Sequence, residues 1–190
     1  MARVEQSSSA RHVKEARGGH DAQAFHGARH AHDTQIFHGA RHAHDKCVGR
    51  ALNRADALCR QRGARLTAMR RRVLELIWDS HKAVKAYDLL DRLSDSEKPV
   101  RPPTVYRALE FLMAHGLVHR VDSLNAFVGC SGADAHHNAQ FLICQECGEV
   151  SEMDGAAIAK AVAGQAEQAG FTVHRQTVEL HGECPRCAAL

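Results

Sequence analysis

A double Cys-x-x-Cys signature in the last third of the chain constrains the fold more than any other feature. Cys144 and Cys147 form the first pair, and Cys184 and Cys187 form the second. Each such turn lets two thiolates point the same way, so two turns supply the four sulfur ligands of a tetrahedral zinc site. A glycine directly behind the first pair and a proline inside the second favour zinc over redox-active or simply buried thiols. The sequence therefore predicts a structural zinc site that joins the two ends of one small α/β unit.

Whether cysteines form disulfides or remain reduced depends on the cellular compartment. The first residues are polar and do not resemble a signal peptide, and no apolar run approaches the length of a membrane span. We therefore expect a cytoplasmic protein that does not contact a membrane. Its seven cysteines should be reduced thiols or metal ligands rather than disulfides.

Charge is distributed unevenly along the 190 residues, which leave room for one or two small domains and a tail. Residues 51–120 carry 14 Lys and Arg against 8 Asp and Glu, whereas residues 121–190 carry 3 against 9. A basic segment suits a polyanionic partner and an acidic one suits cations. The separation favours two domains with two different partners.

Residues 1–48 have the composition of a disordered tail, because they are rich in His, Ala, Gly, Arg and Ser and poor in large apolar residues. The nonapeptide Phe-His-Gly-Ala-Arg-His-Ala-His-Asp occurs twice, at 25–33 and 37–45. Its imidazoles are candidates for weak binding of zinc, nickel or copper: His26, His30, His32, His38, His42 and His44. The sequence leaves open the alternative that this segment is a recent duplication upstream of the true start.

The middle of the chain predicts four helices followed by a β-hairpin. The helices span residues 51–62, 68–80, 86–93 and 105–115, and the hairpin strands span 117–121 and 126–130. Thr67 and Thr104 stand where N-caps of the second and fourth helices are expected. This order is typical of a winged helix-turn-helix, in which the fourth helix would enter the major groove of DNA.

The start of the fourth helix carries the candidate DNA contacts. Pro103 is expected to forbid an earlier start, and Thr104 to cap the helix. Tyr106 and Arg107 then lie in its first turns. Arg107 suits a guanine edge, and Tyr106 suits a phosphate or a thymine methyl group. The alternative is an ordinary exposed surface.

The last third predicts strands at 140–144 and 149–153, a helix at 156–169 and a strand at 171–181. So few strands leave an exposed sheet edge, which dimerisation would cover. Four residues of suitable type suggest a second zinc site that bridges the two domains: His119, Cys130, His137 and Glu152. Spacing alone also allows isolated surface histidines, and His136 competes with His137.

Residues 50–187 resemble the ferric uptake regulator family, within it the zinc-sensing branch of zinc uptake regulators. The resemblance is carried by these segments: Arg65-Leu-Thr, Ala86-Tyr-Asp-Leu-Leu, Pro102-Pro-Thr-Val-Tyr-Arg-Ala-Leu, Gly116-Leu-Val-His, Phe127-Val-Gly-Cys, Cys144-x-x-Cys-Gly and His181-Gly-x-Cys-x-x-Cys. Iron-sensing members have a His/Asp cluster before the first cysteine pair, whereas this chain has Asn-Ala-Gln-Phe at 138–141. The departure argues against iron.

The resemblance implies an α+β protein, with a winged helix-turn-helix DNA-binding domain followed by a small α/β dimerisation domain. It implies two zinc ions per chain, a structural one on the four cysteines and a regulatory one on His119, Cys130, His137 and Glu152. It also implies that Tyr87 joins Tyr106 and Arg107 in contacting operator DNA, a set to which we add Thr104. The acid–base pair that the resemblance associates with contacts between neighbouring dimers on DNA is incomplete, because Asp91 is present but Ser94 stands where an arginine is expected.

We therefore expect a homodimeric, zinc-responsive repressor of zinc-uptake genes, with no enzymatic activity and no small-molecule substrate. The expected organisation is a tail at 1–48, a DNA-binding domain at 49–122, a hinge and end of the wing at 123–127, and a dimerisation domain at 128–190. The alternatives are a zinc-storage protein or zinc-dependent enzyme with a histidine-rich tail, and a regulator of the same family that senses another metal.

Overall fold

The computed structural model describes residues 44–94, 99–132 and 139–189. Along these residues the chain forms helices α1 (His44–Gln61), α2 (Ala68–Trp78), α3 (Ala86–Leu93) and α4 (Pro102–Ala114), strands β1 (Val118–Val121), β2 (Ala126–Gly129), β3 (Ala139–Cys144) and β4 (Val150–Asp154), then α5 (Ala156–Gln168), β5 (Val178–Gly182) and α6 (Pro185–Ala188). None of the helices in this described part combines the length and apolarity needed to cross a bilayer.

The first four helices enclose an apolar core. Each contributes residues at helical spacing that are almost fully buried, among them Ala55, Leu74, Leu89 and Leu112. Thr67 caps α2 as predicted, because its Oγ1 accepts a hydrogen bond from the backbone N–H of Arg70 at 3.4 Å. The helical spacing of apolar residues in the sequence was thus sufficient to predict which residues line this core.

Two helix starts differ from the sequence prediction. Helix α4 begins at Pro102, with Arg101 at the N-cap, so Thr104 lies inside the first turn and does not cap the helix. Both prolines are tolerated there because the first N–H groups of a helix have no intrahelical partner. Helix α1 begins at His44, inside the segment assigned to the tail. Residues 26–42, with five of the six candidate tail histidines, lie outside the described residues.

The predicted hairpin is present as an antiparallel pair in which His119 lies opposite Val128. Its turn spans residues 122–125, and Asn125 takes the left-handed conformation (φ 45°) that asparagine tolerates well. Residues 123–127, the expected hinge and end of the wing, therefore form part of this turn and the start of β2. Both hydrogen-bonding groups of Val84 bond to Phe127 at 2.8 Å, which adds a short third element beside the hairpin.

The C-terminal sheet has the order β4-β3-β5, with β3 antiparallel to β4 and parallel to β5. Strand β5 is shorter than the predicted 171–181, and α6 was not predicted. A parallel β3–β5 pair needs a crossover, which α5 supplies. The arrangement carries the second cysteine pair back to the end of β3.

A small second core joins the hairpin to this sheet. Val121 and Val128 of the hairpin pack with Phe141 and Ile143 of β3. At the hairpin turn, the Glu179 carboxylate of β5 accepts hydrogen bonds from the backbone N–H groups of Asp122 (2.6 Å) and Ser123 (3.0 Å). Partial burial disfavours its charged form, but the donors at Ser123 and Asp122 outweigh that and lower the pKa of Glu179. The hairpin and the sheet are therefore packed and hydrogen-bonded together.

Gly129, next to Cys130, is a glycine where we expect substitution to be costly. A Cβ atom there would overlap the indole ring of Trp78. We predict that Gly129→Ala lowers the free energy of unfolding by about 1–3 kcal/mol, the usual cost of overpacking, measured by urea denaturation. The matched control is Gly164→Ala in α5, where a Cβ atom meets open space, so alanine should add roughly 0.5–1 kcal/mol. Equal stability of the two variants would contradict the prediction.

Candidate metal centres

The four cysteines of the double signature come together at one end of the C-terminal sheet. Cys144 ends β3, Cys147 lies in the following turn, Cys184 caps α6 and Cys187 lies within it. Gly148, at φ +72°, closes the first turn by donating its N–H to the Cys144 carbonyl at 3.0 Å. The second turn is closed by the α6 helix, whose proline occupies the first helical position.

The geometry of this cluster fits zinc. All four sulfur atoms lie within 4.8 Å of one another, and those of Cys147 and Cys184 are 3.8 Å apart. A tetrahedral ion with Zn–S bonds of about 2.3 Å separates its sulfur ligands by about 3.8 Å. Cys144 and Cys184 are buried, while the other two are half-buried. The cluster is therefore preformed and closed, as a structural site requires.

Hydrogen bonds give these thiols different pKa values. The backbone N–H groups of Cys147 and Cys184 lower the pKa of Cys144 to about 6. The neighbouring Cys184 side chain raises the pKa of Cys187 to about 12. Adjacent thiolates repel one another, so all four ionise together only around a cation.

A second cluster forms where the hairpin faces the sheet. One donor atom from each of His119 (β1), Cys130 (after β2) and Glu152 (β4) lies within 4.8 Å of the others. Cys130 extends the hairpin by donating its N–H to Leu117 at 3.0 Å, which places it diagonally from His119 on the same hairpin face. Glu152 pairs with Phe141 across the sheet, and the Phe141 ring lies 5.7 Å from the His119 ring.

The second cluster is largely buried and already oriented. His119 Nε2 lies 3.5 Å from Glu152 Oε1, and the two side chains are only 18% and 9% exposed. The other carboxylate oxygen, Oε2, accepts hydrogen bonds from Ser131 N (3.0 Å) and Ser131 Oγ (2.9 Å). Burial, reinforced by the charge of Glu152, raises the pKa of the Cys130 thiol to about 11. Near neutral pH this thiol keeps its proton until a cation displaces it.

Nitrogen, sulfur and carboxylate oxygen together make a donor set that suits zinc better than magnesium or calcium. The structure thus brings together three of the four residues predicted for this site. His137 and its competitor His136 lie outside the described residues.

The predicted DNA contacts lie in the first turns of two helices, α3 and α4. Tyr87 at the start of α3 is 73% exposed and Tyr106 on α4 is 53% exposed. Thr104 and Arg107 are also exposed, whereas Val105 beside them is buried. The candidate contacts are therefore accessible, and the apolar residues between them anchor α4 to the core.

Two arginines next to the sulfur atoms were missed by sequence reasoning. Arg54 of α1 donates to the Cys130 carbonyl at 3.2 Å. Arg186 donates to Cys147 Sγ at 3.4 Å and to the buried Glu149 at 3.0 Å. Arg186 could have been suspected, since it lies inside a Cys-x-x-Cys. No local signal marks Arg54, because its contact joins residues 76 positions apart.

Comparison with known proteins gives consistent matches. The zinc uptake regulation protein of Escherichia coli strain K12 is 40% identical over 137 residues, which cover 72% of this chain and 80% of that protein. The solved structure of holo XcZur matches with a TM-score of 0.68 and 43% identity, over 73% of this chain and 97% of its own. A zinc uptake regulator complexed with zinc and DNA matches with a TM-score of 0.69 and 35% identity, over 78% and 97% of the two chains.

A family model gives the same result over most of the described region. The model of the ferric uptake regulator family matches residues 61–181, which include α2 to α5, the hairpin, the second cluster and the first cysteine pair. The match also spans the segments quoted above as the basis of the resemblance, apart from the last cysteine pair. This chain belongs to the ferric uptake regulator family.

Proposed function

We propose that this protein is a zinc-responsive transcriptional repressor, which binds operator DNA as a zinc-loaded homodimer and represses zinc-uptake genes. The observation that carries the proposal is the His119–Cys130–Glu152 cluster, whose members come from both the hairpin and the sheet. The similarity to a zinc uptake regulation protein, and to a zinc uptake regulator solved with zinc and DNA, supports the choice of metal and partner. Membership of a regulator family disfavours the storage and enzyme alternatives.

We assign two zinc ions to each chain. The structural one would be held by Cys144, Cys147, Cys184 and Cys187, and the regulatory one by the second cluster with His137 as its fourth ligand. A zinc ion in the second cluster would act as a Lewis acid that crosslinks hairpin and sheet through strong coordinate bonds. Four protein ligands leave no position for a reactive water, which agrees with a regulatory rather than a catalytic role.

Metal binding at the second cluster would affect the orientation of helices α1–α4 through residues of the chain itself. Without a cation, the Cys130 thiol keeps its proton and Glu152 has a neutral thiol as its neighbour. Once Cys130 and Glu152 are both held as anions around a cation, His119 on β1 is fixed to β4. The hairpin continues directly from α4 through the tight turn at Gly116. Fixing the hairpin therefore fixes the orientation of α4.

We further propose that α1–α4 and the hairpin form a winged helix-turn-helix domain, as expected for residues 49–122 and the wing end at 123–127. The exposed face of α4 would enter the major groove, with Thr104, Tyr106 and Arg107 contacting DNA. Tyr87 of α3 would also contact the operator. The excess of Lys and Arg in residues 51–120 supports this assignment. A dimer would then present two such domains to two half-sites.

Dimerisation is assigned to residues 128–190. Within the described residues, β5 pairs with β3 on one side only, so its other edge can accept a second chain. Three large apolar side chains of this region are exposed: Val162 (42%), Phe171 (67%) and Leu180 (47%). Burying them against a second copy would remove a surface that is unfavourable in water.

The test is DNA binding measured as a function of buffered free zinc. A labelled fragment from a zinc-uptake promoter should bind tightly only in zinc-replete buffer, and manganese or ferrous iron should not substitute at matched free concentrations. Binding that ignores zinc, or that responds better to another metal, would contradict the proposal. Sedimentation of the same samples would report whether the binding species is a dimer.

Arg107 is expected to carry base recognition. We predict that Arg107→Ala weakens operator binding by about 1–3 kcal/mol and reduces the preference for operator over unrelated DNA, as measured by fluorescence anisotropy. The control is Lys160→Ala, which removes one exposed positive charge from α5 in the opposite half of the chain. Equal losses in the two variants would mean that the effect is general electrostatics rather than recognition.

The role of the tail can be tested by deleting residues 1–43, which leaves α1 intact. We predict that operator affinity changes slightly, mainly in its salt dependence, and that the deleted protein loses extra, weakly bound zinc. Equal zinc uptake by the full and shortened chains would dispose of a metal-binding role for the tail histidines.

A further inference from the structure

Arg54 connects the helical half directly to a donor of the second metal cluster. It lies on α1, is half-buried, and both ends of its guanidinium reach the same distant residue. Nη1 donates to the Cys130 carbonyl oxygen at 3.2 Å, and Nη2 lies 4.0 Å from the Cys130 sulfur. A single side chain thus contacts both the backbone and the donor atom of a candidate ligand.

These contacts complete the anchoring of Cys130. Its backbone N–H is held by the Leu117 carbonyl at 3.0 Å, in line with the hairpin ladder. Its carbonyl is held by Arg54, so both polar backbone groups of the residue have fixed partners. The direction in which Cys130 projects its sulfur toward His119 and Glu152 is therefore set from the helical side.

The permanent charge and the planar shape of the guanidinium make arginine well suited to this contact with Cys130. A guanidinium is always protonated, and its planar fork can serve two acceptors at once. The sulfur becomes an anion when it binds a cation, and an N–H donor then makes a stronger, charge-assisted hydrogen bond with it. Arg54 therefore favours the metal-binding form of Cys130 more than its thiol form.

Helix α1 is not a loose attachment. Leu52, Ala55 and Cys59, on the turns around Arg54, are buried in the same core as α2 and α4. A shift of Cys130 would therefore displace the packed helices through its contact with Arg54. This route adds to the direct connection between Cys130 and α4 along the hairpin. We propose that Arg54 is a positioning residue of the regulatory metal site, which orients Cys130 and links its occupancy to α1; this rests on the proposed function.

The chain offers a matched control one turn earlier on α1. Arg50 lines the same cavity of about 320 Å³, together with Arg54, Trp78 and Cys130. Its guanidinium, however, contacts the Lys46 carbonyl (3.3 Å) and Cys47 (3.6 Å), and neither belongs to the cluster. Arg50→Met thus removes the same charge and fork from the same cavity without touching Cys130.

The experiment measures the affinity of the second site in the full-length protein with its first zinc retained. Zinc is titrated against a chelator of known affinity, and cobalt is titrated in parallel to follow the sulfur-to-cobalt charge-transfer band. Outer-sphere partners of metal ligands typically contribute ten- to hundred-fold to metal affinity. We expect Arg54→Met to lower zinc affinity about ten-fold or more and to weaken or shift the cobalt band. Arg50→Met should match the wild type, and Arg54→Lys should restore part of the affinity.

The outcomes separate this inference from the proposed function. If Arg54→Met binds zinc and cobalt like Arg50→Met, the positioning role is wrong while the regulatory site stands. If the wild type itself takes up no second zinc, the regulatory site fails and Arg54 loses its role with it. If Arg54→Met is misfolded by circular dichroism, the Arg54→Lys variant decides: wild-type affinity and an unchanged cobalt band there would overturn the need for the two-pronged contact.

Discussion

Replacing Cys130 with serine is expected to abolish the response of DNA binding to zinc while leaving the fold intact. Cys130 is buried at the end of the hairpin and is the only sulfur donor in the described part of its cluster. Serine is a poor zinc ligand, so occupancy of the site should be lost. The four-cysteine cluster is untouched, and the protein should keep about one tightly held zinc per chain.

The size of this effect follows from coupling. An effector site typically changes the affinity of a second site by about 1–3 kcal/mol. A dimer carries two such sites, so operator binding should weaken by roughly 2–6 kcal/mol if the two contributions add. His119→Ala should behave alike, and Glu152→Ala less severely, since a carboxylate contributes least to a zinc site that contains a thiolate. The measurement is operator affinity against buffered free zinc.

The control for Cys130 is another buried thiol. Cys59 is 1% exposed on α1 and belongs to the helical core rather than to either metal cluster. Cys59→Ser should reduce stability modestly, because a hydroxyl is buried in apolar surroundings. It should nevertheless keep the zinc response. A Cys130→Ser protein that still tightens on DNA at the wild-type zinc concentration would remove Cys130 from the site.

Replacing Cys144 with serine should have a different and larger structural effect. Its cluster connects the end of β3 with α6, two segments about forty positions apart whose thiols meet within 4.8 Å. Zinc binding contributes about 10–16 kcal/mol of apparent free energy in small structural sites, which exceeds the stability of most domains. We therefore expect the C-terminal half to unfold or the protein to become monomeric.

Sedimentation and circular dichroism check this expectation, with zinc content measured on the same samples. Cys47→Ser is the matched control, since that half-exposed thiol lies on α1 outside both clusters. It should remain a dimer with an unchanged spectrum. A Cys144→Ser protein that stays dimeric and keeps the normal spectrum would show that the fold does not depend on this zinc.

Local sequence was enough to predict most of the elements and the first metal cluster. Apolar spacing predicted α2, α3 and the two hairpin strands to within about two residues, because helices and strands bury one face at a fixed period. The Cys-x-x-Cys turns predicted their own geometry, since each turn alone fixes the direction of two sulfur atoms. Family resemblance then supplied the expectations about the metal, the partner and the assembly.

Helix ends were less predictable, because several signals compete there. Thr104 has the chemistry of an N-cap, yet two prolines at the first helical positions moved the start of α4 back to Pro102. Helix α1 begins seven residues before the predicted position, at His44, within a segment whose composition suggested a tail. The long predicted strand at 171–181 shortened to β5 because only residues 178–182 pair with β3.

The second metal cluster was determined in part by the sequence and in part by the tertiary structure. The sequence by itself made His119, Cys130 and Glu152 candidates through their residue types and positions, and the family resemblance then favoured a metal site over isolated surface histidines. Only the tertiary structure decided that they meet, because the hairpin must pack on β3 and β4 before their donor atoms converge. Arg54 lay wholly beyond sequence reasoning. Its contact with Cys130 exists because α1 packs on α2, which in turn contacts β2, and no periodicity or motif records a pairing across 76 positions.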